Sequence, residues 1–65
     1  MYYVTMLHDN VEEVIGVYKE DTTTIKQFLV NVYGELNTTV NDNGTIECVP
    51  WNDNETVFRI VNYNG

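Results

Sequence analysis

Residues 21–34 read DTTTIKQFLVNVYG, and here the apolar side chains recur at helical spacing. Ile25, Phe28, Leu29 and Val32 fall at i, i+3, i+4 and i+7, one stripe of an amphipathic helix. The Asp21-Thr22-Thr23-Thr24 run is a start signal, and any of its four side chains can serve as the N-cap. Thr24 with Gln27 three residues on matches a capping box. Gly34 is placed to end the helix in a left-handed conformation. Lys26, Gln27 and Asn31 are expected to face outward.

On both sides of this stretch the apolar period drops to two. Tyr2 to Leu7 reads as a first strand, with Tyr2, Val4 and Met6 on one face and Tyr3, Thr5 and Leu7 on the other. His8-Asp9-Asn10 is a turn signal, and Glu13 to Lys19 reads as a second strand in which Gly16 marks a bulge or a close backbone approach. After the helix, Leu36 to Val40 reads as a third strand. Asn41-Asp42-Asn43-Gly44 is a hairpin turn, Thr45 to Val49 a fourth strand stopped by Pro50, and Thr56 to Asn62 a fifth. The expected fold is α+β: one antiparallel sheet of four to five strands with a single helix packed on one face, in the order β-β-α-β-β-β. Residues 1–65 form one small domain in this reading. The other sheet face is left open with apolar groups on it.

Composition agrees with a strand-rich chain. There is no Ala and no Ser, while Val, Thr, Asn and Tyr are abundant. A chain of 65 residues buries only about 60% of the surface its unfolded form exposes, so small domains often rely on disulfides, metals or partners. Cys48 is the single cysteine and His8 the single histidine, which rules out an internal disulfide and argues against a structural zinc site. Oligomerisation is the stabiliser left open, and a homodimer is expected. The opening residues MYYVTMLHDN have neither the basic region nor the apolar core of a secretory signal, and no run approaches the ~20 apolar residues of a membrane span. With an unpaired cysteine, this reads as a cytoplasmic protein with no membrane partner. Three Asn-X-Thr patterns, at Asn37, Asn43 and Asn54, read as chance in a chain rich in both residues.

No constellation of residues points to catalysis. Cys48 follows Glu47, whose carboxylate disfavours a thiolate, and reads as a small buried apolar side chain. His8 reads as a solvated turn residue. The Asp42-Asn43-Gly44 turn lacks the ligand spacing of a calcium loop. The chain reads as a non-enzyme with no cofactor and no metal.

Charge is the more telling property. Ten carboxylates stand against three basic side chains, a formal charge of −7. Binding nucleic acid through phosphate neutralisation needs the opposite balance. The acids avoid the helix. Glu12 and Glu13 lead into the second strand, Glu20 and Asp21 follow it, and Asp42, Asp53 and Glu55 sit at turns. Alternate strand residues lie about 6.6–6.8 Å apart, close to the phosphate repeat of a DNA strand, so carboxylates at sheet ends can imitate a phosphate row. A mimic gathers such acids on one side, whereas a merely soluble protein scatters them. Tyr2, Tyr3, Tyr18, Tyr33, Tyr63 and Trp51 add a store of amphipathic aromatics of the kind enriched at interfaces.

Over residues 3–34 the chain resembles a known family. Val4-Thr5-Met6-Leu7 as a first strand, Tyr18-Lys19 closing a second, and a helix carrying Phe28 and ending in Tyr33-Gly34 resemble the small acidic phage-encoded uracil-DNA glycosylase inhibitors. The resemblance implies a dimer built from a short sheet and one helix per subunit, seated on the enzyme's DNA-binding face in the host cytoplasm. It also implies an apolar intersubunit pocket that traps the leucine the enzyme pushes into the duplex. Phe28 and Tyr33 would help line that pocket, and acids such as Glu12, Glu13, Glu20 and Asp21 would meet the basic groove. The alternatives are a DNA mimic aimed at another DNA-binding protein, such as a nuclease effector or restriction enzyme, and a homo-oligomeric interaction module that mimics nothing.

Overall fold

The computed structural model describes residues 1–63. Five strands and one helix follow in the order β1 (Tyr2–His8), β2 (Val11–Tyr18), α1 (Thr22–Tyr33), β3 (Leu36–Val40), β4 (Ile46–Pro50) and β5 (Val57–Asn62). The strands form one antiparallel sheet in the order β2-β1-β5-β4-β3. The fold is therefore α+β with the β-β-α-β-β-β order.

Turn chemistry sets the register. Asp9 and Asn10 both take positive φ, 52° and 64°, forming a two-residue primed turn whose twist matches the strands. This tight turn lets β2 start at Val11, two residues ahead of the expected Glu13, because Glu12 and Glu13 pair with Leu7 and Met6 despite their charge. Between β3 and β4, the Asn41 carbonyl accepts the Gly44 N–H at 2.9 Å, and Gly44 takes φ 88°. The Asn-Gly pair thus closes a longer hairpin, with the glycine at its positive-φ position.

Asp21 alone caps the helix. Its Oδ1 accepts the Thr24 N–H at 2.8 Å. The expected Thr24–Gln27 box does not form, since Gln27 donates instead to Asn31 Oδ1 one turn on, at 3.0 Å. Gly34 closes the helix with φ 87° and ψ −169°, a glycine-only region rather than the left-handed helical one, while its N–H donates to the Val30 carbonyl at 2.8 Å.

The helix lies over the face bearing Val4, Cys48, Phe58 and Ile60, and contributes Ile25 and Leu29 to that core. Tyr2, Met6, Tyr18, Leu36 and Ile46 pack at its margin. The expected helical stripe is only half used. Ile25 and Leu29 are buried, but Phe28 is 40% exposed and Val32 is 73% exposed. Lys26, expected outside, is half-buried. A single helix about 10–12 Å across contacts the middle strands and leaves the flanks of its own stripe in water.

β2 carries a bulge. Val4 pairs with Gly16 and Thr5 with Val14, so Ile15 has no partner. Gly16 is needed for a second reason, because the ring of Tyr18 folds back over it. A Cβ built on Gly16 would meet that ring at 2.7 Å.

Gly16→Ala is expected to lower stability by about 1–3 kcal/mol through overpacking. In a Tyr18→Ala background the same change should be nearly neutral, which urea denaturation of the four variants tests. Asp21 has its pKa lowered, chiefly by the Thr24 N–H it accepts. Its stabilising effect is therefore full above the ordinary carboxylate pKa of about 3.9 and is lost as pH falls through the depressed folded value. The gap in melting temperature between the chain and Asp21→Ala should be constant from pH 7 to about pH 5 and shrink below about pH 4.

Candidate functional site

The topology sorts the acids by sheet end. His8 pairs with Val11, Leu36 with Pro50, and β5 starts at Val57, so the β1–β2 turn, the start of β3 and the β4–β5 loop share one end. Asp9, Glu12, Glu13, Glu35, Asp53 and Glu55 belong to that end. Glu20, Asp21 and Asp42 belong to the other, and Glu47 lies mid-sheet opposite Arg59. Neither lysine is at the acid-rich end: Lys19 follows Tyr18 at the far end and Lys26 lies in the first half of the helix. The helix runs toward the acid-rich end, so its carbonyl terminus adds negative potential there. No basic residue occupies the helix's last turn to offset it.

The β4–β5 loop is braced at this end by the Asp53 carboxylate. Asp53 Oδ1 accepts the Glu55 N–H at 3.0 Å, and Asp53 Oδ2 accepts the Thr56 hydroxyl at 2.8 Å. These bonds, the Thr56 hydroxyl foremost, hold the Asp53 carboxyl below its ordinary range. With its proton given to Asp53, the Thr56 oxygen accepts from His8 Nδ1 at 2.9 Å. His8 Nε2 lies 3.4 Å from Asp9 Oδ2. This chain of contacts links the β1–β2 turn to the β4–β5 loop. The Trp51 N–H adds a 2.9 Å bond to the Glu35 carbonyl, tying in the start of β3. The Trp51 side chain remains 65% exposed.

Beside this loop opens a cavity of about 470 Å³. Met6, Val32, Tyr33, Pro50 and Phe58 supply its apolar wall, while His8, Asn52, Asp53 and Thr56 supply polar groups. The Tyr33 ring rests on Phe58 with centroids 4.5 Å apart. Phe28 is elsewhere, tilted against Tyr18 at 5.8 Å. Of the residues singled out from sequence, Glu12, Glu13 and Tyr33 therefore share the acid-rich end. Glu20 and Asp21 lie at the opposite end of β2, and Phe28 does not line the Tyr33 cavity within one chain.

Glu12 is partly neutralised. Arg59 donates from Nη1 to both its oxygens at 3.0 and 2.9 Å, and from Nε to Glu47 Oε2 at 2.9 Å. Thr5 donates its hydroxyl to Glu12 at 2.7 Å. The Thr5 bond foremost, then Arg59, lowers the Glu12 pKa, and the two carboxylates raise that of Arg59. Asp9, Val32 and Glu35 are members of the site to which sequence reasoning gave no binding role, and Trp51, Asp53 and Glu55, read there as an interface-type aromatic and turn acids, were not grouped with Tyr33. A tryptophan and two acids within one short loop was the available signal.

Among the described residues, no group of His, Cys, Asp and Glu is placed to hold a metal ion, and no helix is long and apolar enough to cross a membrane. No family model matches the chain, and no curated protein or solved structure is significantly similar to it.

The Arg59 cluster is half-exposed and therefore screened. Arg59→Gln is expected to lower stability by about 1 kcal/mol at low salt. Most of that difference should vanish near 1 M salt, where the Debye length is about 3 Å. Urea midpoints of both proteins at two ionic strengths test this.

Proposed function

We propose that this protein is an acidic inhibitor that occupies the nucleic-acid-binding face of a basic protein in place of DNA, with uracil-DNA glycosylase as the first target to test. The observation that carries this reading is the segregation of acid to one sheet end. Asp9, Glu13, Glu35 and Glu55 are exposed there, free of lysine, beside the carbonyl terminus of the helix. They span the sheet from the β1–β2 turn to the start of β3, about 19 Å at about 4.8 Å per strand. An acid-lined edge of that width suits a basic groove built for phosphates and would speed encounter with it.

Charge alone gives rate more than persistence. The same end supplies anchoring chemistry in exposed Trp51 and in the cavity walled by Val32, Tyr33 and Phe58. An apolar side chain from the partner fits such a cavity. The family resemblance implies an intersubunit pocket with both Phe28 and Tyr33; here the walls come from a single chain, with Tyr33 among them and Phe28 against Tyr18 instead. Glu20 and Asp21 drop out of the contact surface in this reading, and Asp21 acts as the helix cap.

The direct test is uracil release from duplex DNA with increasing amounts of the protein. Inhibition at near-stoichiometric ratios is expected, and full activity at a large molar excess would remove uracil-DNA glycosylase as the target. The wider mimic reading is tested with whichever basic DNA-binding protein the chain binds. Glu13→Gln with Glu55→Gln should slow association about tenfold, whereas Glu20→Gln with Asp42→Gln should change it less than about twofold. Val32→Glu should raise the dissociation rate at least about tenfold. Equal effects of the two neutralised pairs would overturn the placement of the contact surface.

A further inference from the structure

We propose that the sheet face turned away from the helix is a contact surface between two copies of this chain. The strand registers build that face in rows. Val17, Tyr3 and Val61 lie side by side across β2, β1 and β5, and Leu7 and Val57 form a second apolar row four residues along. Val14 and Val17 are 61% and 57% exposed, large fractions for β-branched residues on one strand. Arg59 and Glu47 pair in the row between, and Glu12, beside Leu7, reaches from the second row to Arg59. Thr5 points to this open side, yet it is only 7% exposed and bonds to Glu12, so the charged side chains serve as its cover. An open groove of about 650 Å³ lies on this face, lined by Tyr3, Val14, Arg59 and Glu47 together with Asn41 and Asn43 of the β3–β4 turn.

Charge selects the occupant. The face carries Glu12, Glu47 and Arg59, a net −1, while the molecule carries −7. Two copies repel wherever their loops and the acid-rich end meet, and much less across this face. The cluster is also self-complementary. Arg59 bonds through Nε and Nη1, and among the described residues its Nη2 and Glu47 Oε1 have no partner. A two-fold interface brings the same patch against itself, so each donor needs an acceptor within the same patch, and this one holds both. Face-to-face sheets pack about 10 Å apart with interdigitated β-branched and aromatic side chains, which Val14, Val17, Tyr3 and Val61 supply.

Sedimentation equilibrium of the full chain from about 1 μM to about 1 mM tests this. The expected result is a species of twice the 7.5 kDa chain mass at the upper end. Val14→Lys with Val17→Lys should raise the dimer dissociation constant at least about 100-fold while far-UV circular dichroism is unchanged. Val32→Lys on the helix should leave it unaltered. A monomer across the whole range, or a dimer indifferent to the β2 lysines, overturns the proposal. If the β2 variant fails to fold, amide shifts of the unmodified chain on dilution decide. Changes concentrated at Tyr3, Val14, Val17, Arg59 and Val61 uphold the surface, and changes confined to the helix or to the 51–56 loop overturn it. None of these measurements involves a target protein, so the result stands apart from the inhibitor reading.

Discussion

A twelve-residue helix about 18 Å long has to cover a five-stranded sheet about 19 Å wide, and it can shield only one face and only the middle of that. Most of the molecule follows from this shortfall. Ile25 and Leu29 close the core over Val4, Phe58 and Ile60, while Val32 and Phe28 at the flanks of the helix stay partly wet. On the uncovered side the chain substitutes polar side chains for a second layer. The long stems of Glu12 and Arg59 lie over Thr5, excluding water with their methylenes and satisfying one another with their heads. A sheet of this size has no spare residues for another helix, so an ion-pair strip does the covering.

The same economy separates the molecule into regions of different character. Short turns collect polar residues at both sheet ends, but the path of the chain makes those ends unequal. The β1–β2 turn, the β4–β5 loop, the start of β3 and the helix carboxyl terminus all fall together, and each brings acid or negative dipole with it. A near-neutral apolar face and a strongly negative end therefore coexist on one small body. The two proposed contacts, a copy of the chain and a basic protein, thus fall on different regions that meet at Glu12.

Much of the fold was legible in the sequence because it is local. Strand alternation, the 21–34 helix, the Asp9-Asn10 turn and the bulge beside Gly16 each announce themselves within a few residues. What was hidden is long-range or competitive. β5 inserts between β1 and β4, so consecutive hairpin pairing does not give the strand order. Asp21 outcompeted Thr24 for the cap because a carboxylate is the stronger acceptor at a helix amino terminus, and Gln27 then found Asn31. Glu12 stood out as an acid, but its ion pair with Arg59 spans 47 positions and carries no sequence signal. The grouping of Asp9, Glu35 and Glu55 likewise depends on strand order, which is why Glu20 and Asp21, adjacent to β2 in sequence, looked equivalent to Glu12 and Glu13.

Cys48 is fully buried at the centre of β4, against the helix-covered face. Burial pushes its thiol pKa up, beyond what nearby Lys26 and the Thr38 hydroxyl return. A thiol in that state is inert while the sheet is closed and becomes reactive once β4 parts from its neighbours. The chain thus contains a single, naturally placed clock for its own opening. The rate at which a thiol reagent labels it reads how often the centre of the molecule breathes, with no second cysteine to confuse the signal.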